Sequence, residues 1–579
     1  MFLSLLVSAL CGLILAWPFR SYDGSLPAWV ALAPVFWIVA RSEKLSWALL
    51  CAASFSLTWT VLCFTFLWPL APAGMVALCL YTSLFYVAAL WTVRRLARLG
   101  VATAVFGTAA LWALVELLRA CVPVFGFPWL LLGHTLLYND CLRQGSDLLG
   151  VYGLSFMVAA VNACLAFALP HGANWQFALP ITPEAHKEPR RNWLLCPRVS
   201  VCALTALMLG GAFIYGAVRI ANLAPRLVSG RPIGVIQGNI AQKLGRSDEE
   251  LTEQLRGHLE LHRKLAQPAR PADKPVLICW AETMVPGYIN VDEWGEEFRR
   301  GVAAAGIPTL AGSNFWVPAG TDSQFPNGRK LVSVPASAEP HSYNGAFMFS
   351  GKGEETYHYL KRRLVPFGEY IPFTQWFPFL KALRSVTRDQ YTPGQEFRGH
   401  APDFQTTGDR GMSPEFLGSE YAISVNICVE DIHPDLAREA ILSGSNLLIN
   451  LTNDGWFCGS YGPRSHMQAA AWRAIETRCP LLRVTNTGLT VAVDPLGKVE
   501  LLVPNETVGT AIVRPRSLAS VIASGSGGKP RTLTLLLGDA GEALIFAGVL
   551  LCLLLCQRRS AAGECQEVRA KSQELTAKS

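Results

Sequence analysis

Three stretches of this chain end an apolar run on a residue that can do chemistry. "LICWAETMVPGY" (277–288) places Glu282 directly after a short strand pattern. "YHYLKRRLVPFGEYIP" (357–372) places Lys361 after another, with Glu369 close behind, and "ISVNICVEDIHPD" (423–435) places Cys428 after a third. A nucleophilic cysteine acts as its thiolate, so it needs a base to take the proton, and a nearby cation lowers its pKa. A glutamate can be that base and a lysine that cation, and the same ammonium with a backbone N–H can hold a tetrahedral oxyanion. Each residue alone also has a plain structural reading. A free cysteine is among the most buried residue types. A glutamate closing a strand caps a turn, and a lysine in "KRR" is a solvated or anion-facing charge. Their joint arrangement favours covalent catalysis.

The elements that must position them lie between 231 and 513. Short β-rich runs ("IGVIQGN", "PVLICWAE", "IPTLAGSNF", "NGAFMFS", "YAISVNIC", "NLLINLTND", "LLRVTNTG") alternate with helical stretches at 248–265, 293–305 and 464–478. That alternation predicts an α/β domain, and strand ends are where such sheets carry their sites. "SGSGGKP" (524–530) reads as a flexible linker. The stretches 327–340 and 402–419 fit no element and are expected to be exposed, mobile loops.

The rest of the chain is written for lipid. Of 579 residues, 51% are hydrophobic and only 16% charged, against about 25% charged in soluble domains. Apolar runs at 2–17, 27–40, 45–70, 75–91, 101–118, 150–169, 199–220 and 541–556 predict about eight transmembrane helices, the second being short. Basic residues follow alternate spans: Arg41 and Lys44, then Arg94, Arg95 and Arg98, then Lys187, Arg190, Arg191 and Arg198, then Arg558 and Arg559. By the positive-inside rule both termini are cytoplasmic, and about 221–539 lies outside the cytoplasm. Within span five, Glu116 and Arg119 either face a bundle interior or snorkel to the interface as a pair. The next loop, "VFGFPWLLLGHTL" (124–136), suits the outer interface. The net charge of +7 is scattered and argues against a nucleic-acid partner. The 16 cysteines include no C-x-x-C pair, so no metal site is expected.

These segments together resemble the apolipoprotein N-acyltransferase family, a membrane branch of the nitrilase, or carbon-nitrogen hydrolase, superfamily. The resemblance is carried by "QGNI" (237–240), "WAET" (280–283), "LVPFGEYIP" (364–372), "NDGWF" (453–457), "RAIETRCPLLRVTNTG" (473–488), "GFPW" (126–129) and "GVYGLSF" (150–156). It implies a polytopic α-helical membrane domain plus a nitrilase-like α-β-β-α sandwich inserted before the last helix. The corresponding boundaries are 1–222 for helices one to seven, 223–517 for the extracytoplasmic catalytic domain, 518–540 for the linker, 541–557 for helix eight and 558–579 for a polar, disordered cytoplasmic tail. It also implies a catalytic triad of Glu282, Lys361 and Cys428. Glu369, Glu430 and Trp456 support it, and the Val429 N–H serves the oxyanion. Val429 departs from the aromatic the family often has after the nucleophile, and "QGNIAQKLGR" departs from the family's "KW".

The activity implied is phospholipid-dependent acyl transfer to the N-terminal S-diacylglyceryl-cysteine of apolipoproteins. It would pass through a Cys428 thioester in a ping-pong cycle, as the last step of lipoprotein maturation at a bacterial inner membrane, with no cofactor. The expected partners are a phospholipid donor and a diacylated lipoprotein N-terminus. The alternative is a membrane-tethered nitrilase-type amidase acting on small amides, and a transporter is a more distant rival. "YIPFTQWFPFL" (370–380) is either a lipid-facing wall or core packing. A disulfide among Cys279, Cys458 and Cys479 is open.

Overall fold

The computed structural model describes residues 2–21, 24–169, 196–243, 245–324, 330–337, 339–382, 390–394, 421–457, 459–519 and 532–577. The apolar N-terminal sequence forms α1 (Phe2–Arg20), α2 (Leu32–Arg41), α3 (Leu45–Phe64), α4 (Pro72–Leu96), α5 (Thr108–Cys121), α6 (Ser146–Phe167) and α7 (Pro197–Leu223). The short second span, α2, is sealed inside the bundle: Leu32, Val35, Phe36 and Val39 are fully buried. No solvent can satisfy its first N–H groups there. Asn162 of α6 does so instead, accepting from Leu32 and Ala33 at 2.9 and 3.0 Å. Helix α6 starts earlier than the apolar run because Gly150, at φ 55°, breaks it rather than opening it.

The insert is a two-sheet sandwich. Its strands are β1 (Leu227–Ser229), β2 (Ile233–Gln237), β3 (Leu277–Trp280), β4 (Thr309–Val317), β5 (Asp322–Gln324), β6 (Lys330–Ser333), β7 (His341–Phe349), β8 (Glu355–Leu360), β9 (Ile423–Ile427), β10 (Leu447–Thr452), β11 (Leu481–Thr485), β12 (Thr490–Val493), β13 (Val499–Val503), β14 (Gly509–Val513) and β15 (Arg516–Leu518). One sheet runs β14-β2-β3-β4-β7-β8 and the other β13-β12-β11-β10-β9. Strands β2, β3, β10 and β11 are buried along their whole length. This is why they read as continuous apolar runs rather than alternating ones. The stretch 327–340 is not simply a loop, because β6 pairs antiparallel with β5 in a hairpin. The stretch 402–419 lies outside the described residues.

The helices α8 (Asp248–Ala266), α9 (Glu293–Ala305), α10 (Pro434–Leu442) and α11 (Gly462–Thr477) complete the sandwich. Helix α8 opens on a capping box between Ser247 and Glu250, worth about 1 kcal/mol, and packs on the first sheet. Helix α11 is buried all round. One side meets β11 and the other meets α6. Its Glu476 accepts the Val151 N–H, freed by the break at Gly150, at 3.0 Å. Just beyond it, Arg478 pairs with Asp147 of α6 at 2.7 Å, and Asp147 also holds Arg219 of α7 at 2.6 Å.

The chain returns to the bundle as α12 (Leu533–Ala577), packed on α5 and α6. It begins before the apolar run at 541 and bends at Gly538, φ 60°. The tail expected to be disordered continues this helix as far as Ala577. Of the expected linker, 520–531 lies outside the described residues, as do Lys187, Arg190 and Arg191. Among the described residues seven helical segments are long and apolar enough to cross a membrane, and a shorter apolar segment runs from Leu26 to Arg41.

Candidate active site

Strands β3, β8 and β9 deliver Glu282, Lys361 and Cys428 to one place. Cys428 leaves β9 at φ 52°, a left-handed conformation unusual for a side chain with a Cβ. The chain then tightens into the 3-10 turn Cys428–Ile432. The thiol stands on this elbow half-buried. Lys361 beside it is buried, and its ammonium donates to Glu369 Oε1 at 2.8 Å and to Glu282 Oε1 at 3.3 Å. Asn344, from the middle of β7, donates to Glu282 at 2.8 Å and reaches Glu369 at 3.4 Å. The other oxygen of Glu369 accepts the Val365 N–H at 2.8 Å.

Glu430 ties two strand ends together. It accepts the N–H groups of Arg362 and Arg363, just past Lys361, at 2.7 and 2.9 Å, and that of Ile427, just before Cys428, at 2.8 Å. Tyr359 donates its hydroxyl to the same carboxylate at 2.9 Å. One buried anion therefore fixes the spacing between lysine and cysteine. The carbonyl of Cys428 is held by Asn450 of β10 at 3.0 Å.

Two carboxylates face one ammonium, and the electrostatics follow. Burial pushes the Glu282 carboxyl up; Lys361 pulls it down and Glu369 pushes it up again. Burial works against the Lys361 ammonium, but Glu282, Glu369 and Cys428 outweigh it, so the lysine stays charged. The Cys428 thiol is pushed up by burial and by Glu282, with Lys361 opposing. At rest Cys428 is thus a thiol near the Glu282 carboxylate, an arrangement that allows proton transfer to that group as charge develops elsewhere. Burial also raises Glu430 despite its N–H donors.

Of the supporting residues, Glu369 and Glu430 join the triad residues directly. Val429 turns its half-buried side chain toward the core of the bundle, and its N–H lies in the first turn, where a helix offers no internal acceptor. Trp456 sits half-buried in the turn Asp454–Phe457 after β10. Among the described residues no hydrogen bond joins it to the triad. Asn344, Tyr359 and Asn450 escaped the sequence reading because each lies inside a strand, with no motif to mark it.

The stretch 370–380 is buried only at Ile371 and Pro372. Trp376, Phe377 and Phe379 are 66%, 51% and 72% exposed. The stretch is joined to the membrane domain through Phe125, whose ring meets Phe367 at 6.5 Å and Phe373 at 5.7 Å. Arg119 does not snorkel. It is fully buried and donates to the carbonyls of Phe127 and Trp129 at 2.7 and 2.6 Å, while Glu116 accepts from Trp112 and from the Leu132 N–H. The pair pins the loop 122–132 rather than bonding to each other. Cys279 and Cys479 are buried; Cys458 lies outside the described residues.

Residues 11–164 match the family described as apolipoprotein N-acyltransferase N-terminal domain, and residues 233–520 match the carbon-nitrogen hydrolase family. The chain is 30% identical over 509 residues to the apolipoprotein N-acyltransferase of Geobacter metallireducens, an alignment covering 86% of this chain and 87% of that protein. It is 31% identical over 382 residues to the apolipoprotein N-acyltransferase of Azotobacter vinelandii, covering 66% of this chain and 61% of that one. Among solved structures, an amidase from Nesterenkonia sp. is similar with a TM-score of 0.33 at 14% identity, covering 51% of this chain and 93% of the amidase.

Proposed function

This chain belongs to the apolipoprotein N-acyltransferase family and is a multi-pass membrane acyltransferase, and from that premise we propose that it N-acylates the S-diacylglyceryl-cysteine at the N-terminus of lipoproteins, drawing the acyl chain from a phospholipid. Glu282 takes the Cys428 proton as the sulfur attacks a glycerol ester carbonyl. The oxyanion is held by the Lys361 ammonium and the Val429 N–H. When the tetrahedral adduct collapses, the C–O bond breaks, Glu282 returns the proton to the lysophospholipid, and an acyl thioester remains on Cys428. The lipoprotein amine then attacks the thioester and Glu282 accepts its proton. The C–S bond breaks, Glu282 passes that proton to the departing sulfur, and an amide and a free thiol remain. The two substrates take turns at one site, a ping-pong order. Glu369 and Asn344 hold Lys361 and Glu282 in register throughout.

The observation that carries this reading is the juxtaposition of a half-open thiol, a buried Glu–Lys–Glu cluster and an exposed aromatic stretch joined to the membrane loop. Both substrates are anchored in lipid, so such a stretch lets them approach from the side. The thioester must also be shielded from water, or the cycle becomes lipid hydrolysis. The same reading puts the catalytic domain outside the cytoplasm with both termini inside.

Intact-protein mass spectrometry after incubation with phospholipid tests it. The expected result is a gain of one acyl chain, removed by hydroxylamine and absent in Cys428→Ala. No gain with any phospholipid sinks the reading and brings hydrolysis of small amides to the front.

A further inference from the structure

Behind the elbow lies a second cluster of charge that the acyl transfer does not use. Asp431, three residues past Cys428 in the same turn, is fully buried. Its Oδ2 meets Arg483 Nε of β11 at 3.2 Å, and its Oδ1 lies 3.0 Å from Nε2 of His466 on α11. The other ring nitrogen of His466 lies 2.8 Å from Oδ1 of Asp454, in the turn after β10. Asp454 Oδ2 accepts from Arg483 at 2.9 Å. The Trp129 indole from the membrane loop stacks on the imidazole at 5.1 Å and 29°. All four charged or titratable side chains are buried.

The cluster balances only with His466 charged. Two carboxylates face one guanidinium, and a buried excess charge is costly. An imidazolium makes the sum zero. The geometry agrees: each ring nitrogen faces a carboxylate oxygen, and an unprotonated nitrogen would set lone pair against lone pair. The Asp431 contact is an ion pair rather than an aligned hydrogen bond. Burial lowers the affinity of His466 for its proton, but Asp431 and Asp454 outweigh burial and Arg483. One contact favours the neutral ring: an Arg483 amino group lies 2.7 Å from Nδ1, suiting a tautomer protonated only at Nε2.

We propose that His466 is a positioning residue that works as an imidazolium, clamping Asp431 and Asp454 so that the turn carrying Cys428 stays where Glu282 and Lys361 can act on it. This rests on the acyl-transfer reading for its kinetic consequence but not for its charge state. The clamp draws on α11, β11 and the turns after β9 and β10, while Glu430 ties the same elbow to the end of β8 in the opposite sheet. The elbow is gripped from both sides.

Nitrogen-15 NMR of the full chain in lipid nanodiscs, with labelled histidine, tests the charge state. The resonances missing in His466→Gln identify the ring. The expected result is both nitrogens protonated at pH 7, with the proton lost only as pH rises well above the ordinary histidine value. His466→Gln should lower kcat for acyl transfer at least tenfold with the phospholipid KM within twofold. If that variant does not fold, Asp431→Asn replaces it: the ring should then be neutral at pH 7 and kcat several-fold lower. A singly protonated His466 in the wild type, or a folded variant with wild-type kcat, overturns the proposal. A wild type with a charged His466 but no acyl transfer would instead sink the acyl-transfer reading.

Discussion

The ammonium of Lys361 lies closer to Glu369 than to Glu282, the base of the proposed cycle. Lys361 and Glu369 are 2.8 Å apart and both are buried, so the lysine is oriented chiefly by a residue that never touches the proton in transit. Glu369→Gln should therefore have effects of opposite sign. A charged hydrogen bond of about 1.5–3 kcal/mol is weakened, so kcat should fall about tenfold to hundredfold. Glu369 is also one of the charges that raise the Cys428 thiol, so alkylation of Cys428 by iodoacetamide at pH 8 should speed up. Peptide mapping gives the second rate; if both rates fall together, Glu369 is acting on something other than Lys361.

The surroundings of Glu282 favour its protonated form. Burial, then the charge of Glu369, push Glu282 above the usual 4.5, against the pull of Lys361. A base must be ionised to accept a proton, so kcat/KM should fall as pH drops through this raised value. The acid limb should lie above 4.5 and shift in Asn344→Ala, which removes a donor to the ionised form. A wild-type limb at or below 4.5 would contradict this assignment.

Glu430 separates two losses. Tyr359→Phe removes one hydroxyl donor and should cost about 1 kcal/mol of stability. Glu430→Gln leaves Ile427, Arg362 and Arg363 competing for a single oxygen, so it should lower both the melting temperature and kcat further than Tyr359→Phe. Thermal melts in detergent, with acyl transfer measured well below the midpoint, check the order. A reversed order would mean that Glu430 is not what spaces the two strand ends.

Trp376 and Phe377 should matter to the lipid and not to the fold. Replacing both with Ser removes exposed apolar surface, so the melting temperature should change by no more than a degree or two. Transfer from bilayer phospholipid should drop severalfold, and transfer from a short-chain soluble donor should be spared. Equal losses on both donors would assign the pair to packing.

The legible part of the site was the part at strand ends. Glu282, Lys361 and Cys428 each break an apolar run, and a polar residue where a buried strand stops is visible without a structure. Asn344 sits within "SYNGAFMFS", Tyr359 within a strand and His466 within a helix. What defines each is a partner from 12 to more than 60 residues away, and no local pattern encodes that. The same limit explains Arg119. Its spacing from Glu116 suggested a pair, yet each instead holds a backbone group of the loop 122–132. Hydropathy placed the bundle's helices but started two of them late, because Asp147 just before Gly150 and Asp539 just after Gly538 interrupt the apolar run while the helix continues across a positive-φ bend.

Helix α12 packs on α5 (Thr108–Cys121) and α6 (Ser146–Phe167), yet the ribosome reaches it only at Leu533, with the whole catalytic domain between. The cleft it fills must stand open while the sandwich is synthesised. Helix α11, whose outer side rests on α6, can take its place during that interval. The order of synthesis thus makes α12 the closing piece. A chain stopped after β15 would leave α5 and α6 with an unfilled seam, marking it for membrane proteolysis however well its active site had formed.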